Sequence, residues 1–471
     1  MLVSLLQAAL GFITLPLYTN YLSPADYGVL GLFMLFGTLV IGIVSMGLKT
    51  ATYRYYFNYG LNNDYKFKSL NFTNIFTLSI TYLILIIPII FISPWISNYI
   101  FSNRLSPNII NLSFISAAIS YLCLYLNELL IAQEKSTSYF YINTTRIVIN
   151  HCISLYLIIG YSLSYMGKIY GILFVDVTLL ITLLVYLKNN FIIKYSVKFF
   201  KRSLKFSYPL TFRKILGSIN NSLSKLFLNS FSGLSTVGQY SVGVQFATFV
   251  GLVQGAISKG FNPFFFKNIE KNNSIDEGRI IHVYQIITGL IVGCGIFIIM
   301  IAEELVKILT SPEFYPSMYV IPIYVYFHMF SAIGLCGSPQ LMHTKKMIYF
   351  LPSSFSNILI NVFLNILLIP ILGAVGAAIT SACAALGSNL LLLFFGQRFC
   401  RVNINYSYLF IIYTISFICT SIAYYFMFLD ISLFIKLPMK CSIFLLYLYF
   451  ILNKNGYTLR GSIYKLKTLY S

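Results

Sequence analysis

Residues 15–32 read LPLYTNYLSPADYGVLGL. Two apolar runs flank a turn signal, Ser-Pro-Ala-Asp-Tyr-Gly, and Asp26 is the only charge in the stretch. Ser23 is placed to cap the second run as a helix, Pro24 suits its first turn, and Asp26 favours its positive N-terminal end. So few residues join the runs that they must form an antiparallel helical hairpin. The solvent around that hairpin decides the fold. The 471 residues are 58% hydrophobic and 9% charged, with a mean hydropathy of +0.80, against about 25% charged for ordinary soluble domains. A water-soluble chain of this composition would have to cover itself with apolar side chains. Lipid is therefore the solvent, crossed by about 20 mainly apolar residues at a time.

Such runs follow one another along the chain. They predict fourteen helices, over 2–22, 28–50, 70–93, 108–132, 139–163, 167–187, 206–230, 236–258, 280–302, 317–340, 348–371, 374–396, 407–428 and 435–452. No basic residue precedes Lys49, so the first run reads as a retained helix and not as a signal peptide. With the N-terminus inside, the inner connections and tail hold 23 Lys/Arg, and the outer loops hold four, Arg104, Lys168, Lys307 and Lys436. Basic residues in short loops mark the cytoplasmic side, which places both termini there. The same bias accounts for most of the +20 net charge without nucleic acid. The eight cysteines form no CxxC pair and the four histidines show no ligand spacing. No metal site, disulfide framework or cofactor is expected.

A second hairpin resembles the first. Residues 231–246 read FSGLSTVGQYSVGVQF, again Leu-Ser, a short turn, a Gly and a new apolar helix. Leu22 and Leu234 are 212 apart, Lys49 and Lys259 are 210 apart, and Gly167 and Gly373 are 206 apart. Three matches at nearly one offset predict two parallel six-helix repeats. The expected organisation is an N-terminal lobe over 1–187, a basic cytoplasmic linker over 188–205, a second lobe over 206–400, and two further helices with a cytoplasmic tail over 401–471.

PLYTNYLSPADYG, the GLKTATYRYY end of the second helix and the VGQYSVG entry to the eighth resemble the Wzx-type polysaccharide flippases. These belong to the multidrug/oligosaccharidyl-lipid/polysaccharide exporter superfamily. The resemblance implies an all-α membrane protein whose two six-helix lobes form a V around a central cavity. It implies a substrate, undecaprenyl-diphosphate-linked oligosaccharide, moved across the bacterial inner membrane for O-antigen or related surface polysaccharide. Membrane lipids, a polysaccharide polymerase and chain-length proteins would be its partners. Arg54 stands at the family motif's basic position.

Ionisable groups within spans mark functional sites by default. At 100° per residue, the seventh helix carries Arg213, Gly217, Asn220 and Ser224 on one stripe and Lys214, Ser218, Asn221 and Lys225 on the next, with Ile215, Leu216, Ile219 and Leu223 opposite. Lipid cannot satisfy that polar side, so it is expected to line water or substrate. Snorkelling of Lys214 and Lys225 toward the two interfaces is the alternative. Arg146 joins Asn143 and Asn150 on the fifth helix, and Asp176 stands mid-way along the sixth, as a possible ion-coupling acid or a partner for Arg146. Asn357, Asn361 and Asn365 form a stripe for sugar hydroxyls or for helix contacts. Glu128 is placed near an inner end, in solvent. Bases outnumber acids, which suits a diphosphate. The rivals are a drug/cation antiporter of the same superfamily, which needs intramembrane acids, and a membrane polymerase, which needs a large outer loop or an acidic cluster.

Overall fold

The computed structural model describes residues 2–60, 64–269, 277–429 and 433–454, and these are helical almost throughout, with no strand among them. The basic tail beyond residue 454 and Lys271 lie outside the described residues. The chain divides into two compact units, Met1–Ser241 with Asn365–Gly373, and Val242–Leu364 with Ala374–Ser471.

The first unit holds α1 (Leu2–Tyr21), α2 (Pro24–Val44), α3 (Leu48–Tyr55), α4 (Asp64–Tyr99), α5 (Pro107–Ala132), α6 (Ser136–Leu155), α7 (Ser164–Tyr186), α8 (Val197–Ser232) and the first turns of α9 (Leu234–Ile269). The hairpin of the opening stretch is present. Ser23 Oγ accepts from Asp26 N at 3.2 Å, and Ser23 N donates to Asp26 Oδ2 at 3.0 Å, a reciprocal capping box. α5 packs against α2, α4 and α7, and α6 against α7. Leu32, Leu126, Leu129 and Leu130 are wholly buried there.

The helix expected over 28–50 is two helices. Met46 and Gly47 take left-handed backbone, with φ of 47° and 64°, which ends α2 and re-aims the chain into α3. The expected linker 188–205 is also partly helix. Its stretch KFFKRSLKF contains no breaker, and α8 starts at Val197, nine residues before the expected span. Phe199 packs 6.3 Å from the Tyr59 ring, so this amphipathic turn has an apolar surface to cover.

The second unit holds most of α9, then α10 (Glu277–Met300), α11 (Ala302–Leu309), α12 (Ser317–Ser331), α13 (Gly337–His343), most of α14 (Phe350–Phe399), α15 (Tyr406–Phe428) and α16 (Leu433–Lys454). α10 packs against α12, α15 and α16. The apolar runs 348–371 and 374–396 follow each other in α14 without a loop. Gly373, at φ 54° and ψ −127°, interrupts the helical backbone between them, a conformation open mainly to glycine.

Eleven described helices are long and apolar enough to cross a bilayer, so this is a multi-pass membrane protein. The number falls short of fourteen for physical reasons. α14 counts once because its break has no loop, α8 carries too many polar residues along its length, and the apolar part of α16 is short. α4, α8 and α9 each have 36 residues, about 54 Å at the helical rise. They therefore outrun a hydrocarbon core of about 30 Å.

Candidate transport site

α8 was expected to carry the site, and its polar side divides in two. One part packs against α2 of the same unit, where α2 presents glycines. A Cβ on Gly42 would lie 2.7 Å from Ser218 Oγ, and one on Gly31 would lie 2.9 Å from Ser241 Oγ and 3.9 Å from Lys225 Nζ. A Cβ on Gly47 would meet Thr211 Oγ1 at 2.7 Å. The missing side chains of α2 thus make room for Ser218 and Lys225. The other part is open: nothing lies within 4 Å of a Cβ built on Gly217. Asn220 is half-buried and Asn221 is exposed. Arg213 and Lys214 belong to this helix, and their side chains lie outside the described residues.

Arg146 and Asp176 meet. From α6, Arg146 Nη2 and Nε donate to Asp176 Oδ1 on α7 at 2.6 and 3.0 Å. Ser120 of α5 donates to Oδ2 of the same carboxylate. Asp176 is wholly buried, while the Arg146 side chain keeps 31% of its surface exposed. One turn away, Asn127 and Asn143 exchange amide hydrogen bonds at 3.2 and 2.9 Å. The carboxylate thus ties three helices together from a wholly buried position, while Ser120 and Arg146 are each half-buried.

The asparagine stripe of α14 also holds helices. Asn357 Nδ2 donates to Ser388 Oγ at 2.9 Å, leaving its carbonyl oxygen buried without a partner. Asn361 is buried, and the wholly buried Asn365 reaches Ser224 Oγ at 3.5 Å. Arg54 stands on α3, with its guanidinium 4.3 Å from the Phe206 ring centroid, a cation–π contact. Glu128, expected in solvent, pairs with Lys49 at 2.9 Å.

An ionic cluster in the second unit was not anticipated. Lys307 and Lys436 were read as outer-loop charges, yet they converge with Lys440 on Glu303 and Glu304. Glu303 takes contacts from Lys307 at 2.8 Å, Lys436 at 3.2 Å and Lys440 at 3.2 Å, and Lys440 also reaches Glu304 at 2.7 Å. Both glutamates, Lys436 and Lys440 are buried. Burial would push the Glu303 carboxyl up, but the three lysines outweigh it and hold it below its ordinary value. The hydrogen bond to Glu303 holds Lys307 above its own. The only signal in the sequence is a pair of i, i+4 spacings, 303/307 and 436/440, at the edges of apolar runs.

The family described as polysaccharide biosynthesis protein matches residues 19–319. The chain is 24% identical over 349 residues to Lsg locus putative protein 1 of Haemophilus influenzae, covering 72% of this chain and 80% of that one. It is 25% identical over 185 residues to the capsular polysaccharide biosynthesis protein CapF of Staphylococcus aureus, covering 38% and 46%. Among solved structures it is similar to the lipid II flippase MurJ in an inward closed conformation, with a TM-score of 0.71 at 15% identity over 96% of this chain and 98% of that one. It is also similar to an inward-facing multidrug resistance MATE family transporter of the MOP superfamily, with a TM-score of 0.61 at 14% identity over 84% and 94%. These likenesses establish the fold, and the match over more than half its length shows that the chain belongs to the polysaccharide biosynthesis protein family.

Proposed function

We propose that this protein is a transporter, not an enzyme. It flips undecaprenyl-diphosphate-linked oligosaccharide repeat units from the cytoplasmic to the periplasmic leaflet of the bacterial inner membrane, for O-antigen or related surface polysaccharide. Both termini are cytoplasmic in this reading. Membership of a polysaccharide family on the fold of a lipid II flippase carries the proposal. The open part of α8 supports it: Asn220 and Asn221 supply amides, Gly217 leaves room, and Arg213 and Lys214 are the cations of the same helix, with Lys225 a further candidate beside α2. The exposed Arg54 and the half-buried Arg146 are further candidates for contact with the cargo.

Alternating access moves the cargo without nucleotide chemistry. Each negative charge carried outward across an inside-negative membrane gains about 2.3 kcal/mol per 100 mV, so a diphosphate is driven by the potential itself. The drug/cation antiporter reading asks for a free intramembrane acid. Asp176 does not offer one, because Arg146 and Ser120 already occupy its two oxygens.

The test is complementation of a strain lacking its own repeat-unit flippase, with surface glycan and cytoplasmic-leaflet lipid-linked repeat unit measured together. Restored glycan with cleared precursor is expected. A strain that gains drug resistance but no glycan would refute the reading.

A further inference from the structure

The second unit carries a cavity of about 600 Å³ where α14 ends and α15 begins. Its chemistry is uneven. Arg398 and Arg401 line it, with Gln397 and Val402 behind them and the rings of Phe394 and Tyr406 at its border. Both rings are 58% exposed. They are amphipathic or apolar surface at the end of a membrane-spanning helix, the position of an aromatic belt.

Short bonds hold the walls. Gln397 Oε1 accepts from Val402 N at 2.9 Å, Gln340 Nε2 donates to the Cys400 carbonyl at 2.8 Å, and Asn405 caps α15 by accepting from Tyr408 N at 3.0 Å. The bond to Val402 fixes the Gln397 amide and leaves its Nε2 buried with no hydrogen-bond partner. Among the described residues neither guanidinium has an ion-pair partner. Glu277 accepts from Asn403 Nδ2 at 2.9 Å, which occupies one of that amide's two N–H groups.

We propose that this cavity binds a lipid-borne phosphate, the headgroup of an anionic glycerophospholipid such as phosphatidylglycerol. Two guanidinium forks, from Arg398 and Arg401, match the oxygens of a phosphodiester. The exposed rings flank the path of the acyl chains. The distribution of basic residues puts this connection on the cytoplasmic side, where anionic headgroups attract juxtamembrane arginines. The lipid would staple α15 to the end of α14 from outside. The site belongs to the second unit and is independent of the transport reading. A polyprenyl diphosphate shares the same phosphate chemistry, and the experiment separates the two sources.

Full-length protein in mild detergent is examined by native mass spectrometry with added phosphatidylglycerol or phosphatidylcholine. Arg398→Gln/Arg401→Gln is compared with Lys345→Gln/Lys346→Gln, a basic pair at another connection. Both arginines are exposed, so the double variant should elute as the wild type does. Phosphatidylglycerol should be retained by the wild type and the lysine variant, and its occupancy should fall roughly tenfold or more in the arginine variant. Equal retention by the arginine variant, equal loss in the lysine variant, or equal binding of phosphatidylcholine would overturn the site. Added undecaprenyl diphosphate should leave the phosphatidylglycerol adduct in place. Its displacement by undecaprenyl diphosphate in the wild type would overturn the glycerophospholipid assignment in favour of the diphosphate.

Discussion

Gly28 and Gly238 close the two related hairpins on each other. A Cβ on Gly238 would stand 3.1 Å from Gly28 N and would overlap the Pro24 carbonyl oxygen. A Cβ on Gly28 would stand 3.0 Å from Leu234 Cα and overlap the carbonyl oxygen of that residue. Backbone meets backbone in both directions, so neither residue can grow without separating the helix starts. Gly28→Val and Gly238→Val should each abolish glycan complementation while leaving insertion intact. Normal surface glycan from either variant at wild-type expression would show that the close approach is dispensable.

The lysines on Glu303 make α16 sensitive to charge. Removing one partner of a buried pair costs about 3–5 kcal/mol, so Lys440→Met should lower thermal stability in detergent clearly, and Lys307→Met, at the partly exposed edge, much less. The carboxyl of Glu303 is held low, so the contribution is present at neutral pH and is lost as pH falls through its folded value, below the ordinary carboxylate range. Melting followed from pH 7 to pH 3 should show that loss in the wild type and a shallower one in Glu303→Gln. Parallel pH curves for the two proteins would show that this carboxyl does not carry the effect.

Arg146 and Asp176 are predicted to act as a pair. Asp176→Asn leaves a guanidinium without its anion, and Arg146→Met leaves a buried carboxylate without its counter-charge, held by Ser120. Both should reduce the yield of monodisperse protein, with Arg146→Met the worse because Asp176 is wholly enclosed. Arg146→Met/Asp176→Leu should recover yield. Transport by that double variant then reports whether the exposed guanidinium edge touches cargo, because the structural debt has been removed.

At the helical period Arg213 falls on the same stripe of α8 as Gly217 and Asn220. Arg213→Ala should abolish complementation, Arg213→Lys should keep part of it because the charge stays and the fork is lost, and Arg213→Glu should be inactive through repulsion of the diphosphate. Wild-type glycan from Arg213→Ala at normal expression would remove this residue from the mechanism and leave it as an interfacial anchor.

Ser23 should lie on the periplasmic side, because the basic residues divide 23 to four. A cysteine introduced there in a background without reactive cysteines should label with an impermeant maleimide in intact spheroplasts. Labelling only after the membrane is opened would reverse the orientation.

Composition, hydrophobic run length and turn chemistry determined much of this protein without coordinates. The Ser23–Asp26 cap is a contact within four residues, so its chemistry is local and was legible. The membrane, the helical hairpins and the glycine interruption at Gly373 were legible for the same reason, since each depends on neighbours in sequence or on the solvent. That α8 packs on α2, where glycines 31 and 42 admit Lys225 and Ser218, was not legible. Which of the polar faces would be buried depended on what came to lie against them. Asn357 and Asn365 were legible as polar positions in a span, but only Ser388 and Ser224 made them helix contacts. Glu303 and Lys440 are 137 residues apart, and no periodicity reports a partner at that distance. Tertiary packing alone decided that these charges leave solvent together, because a buried charge is tolerated only where the fold brings its counter-charge to it.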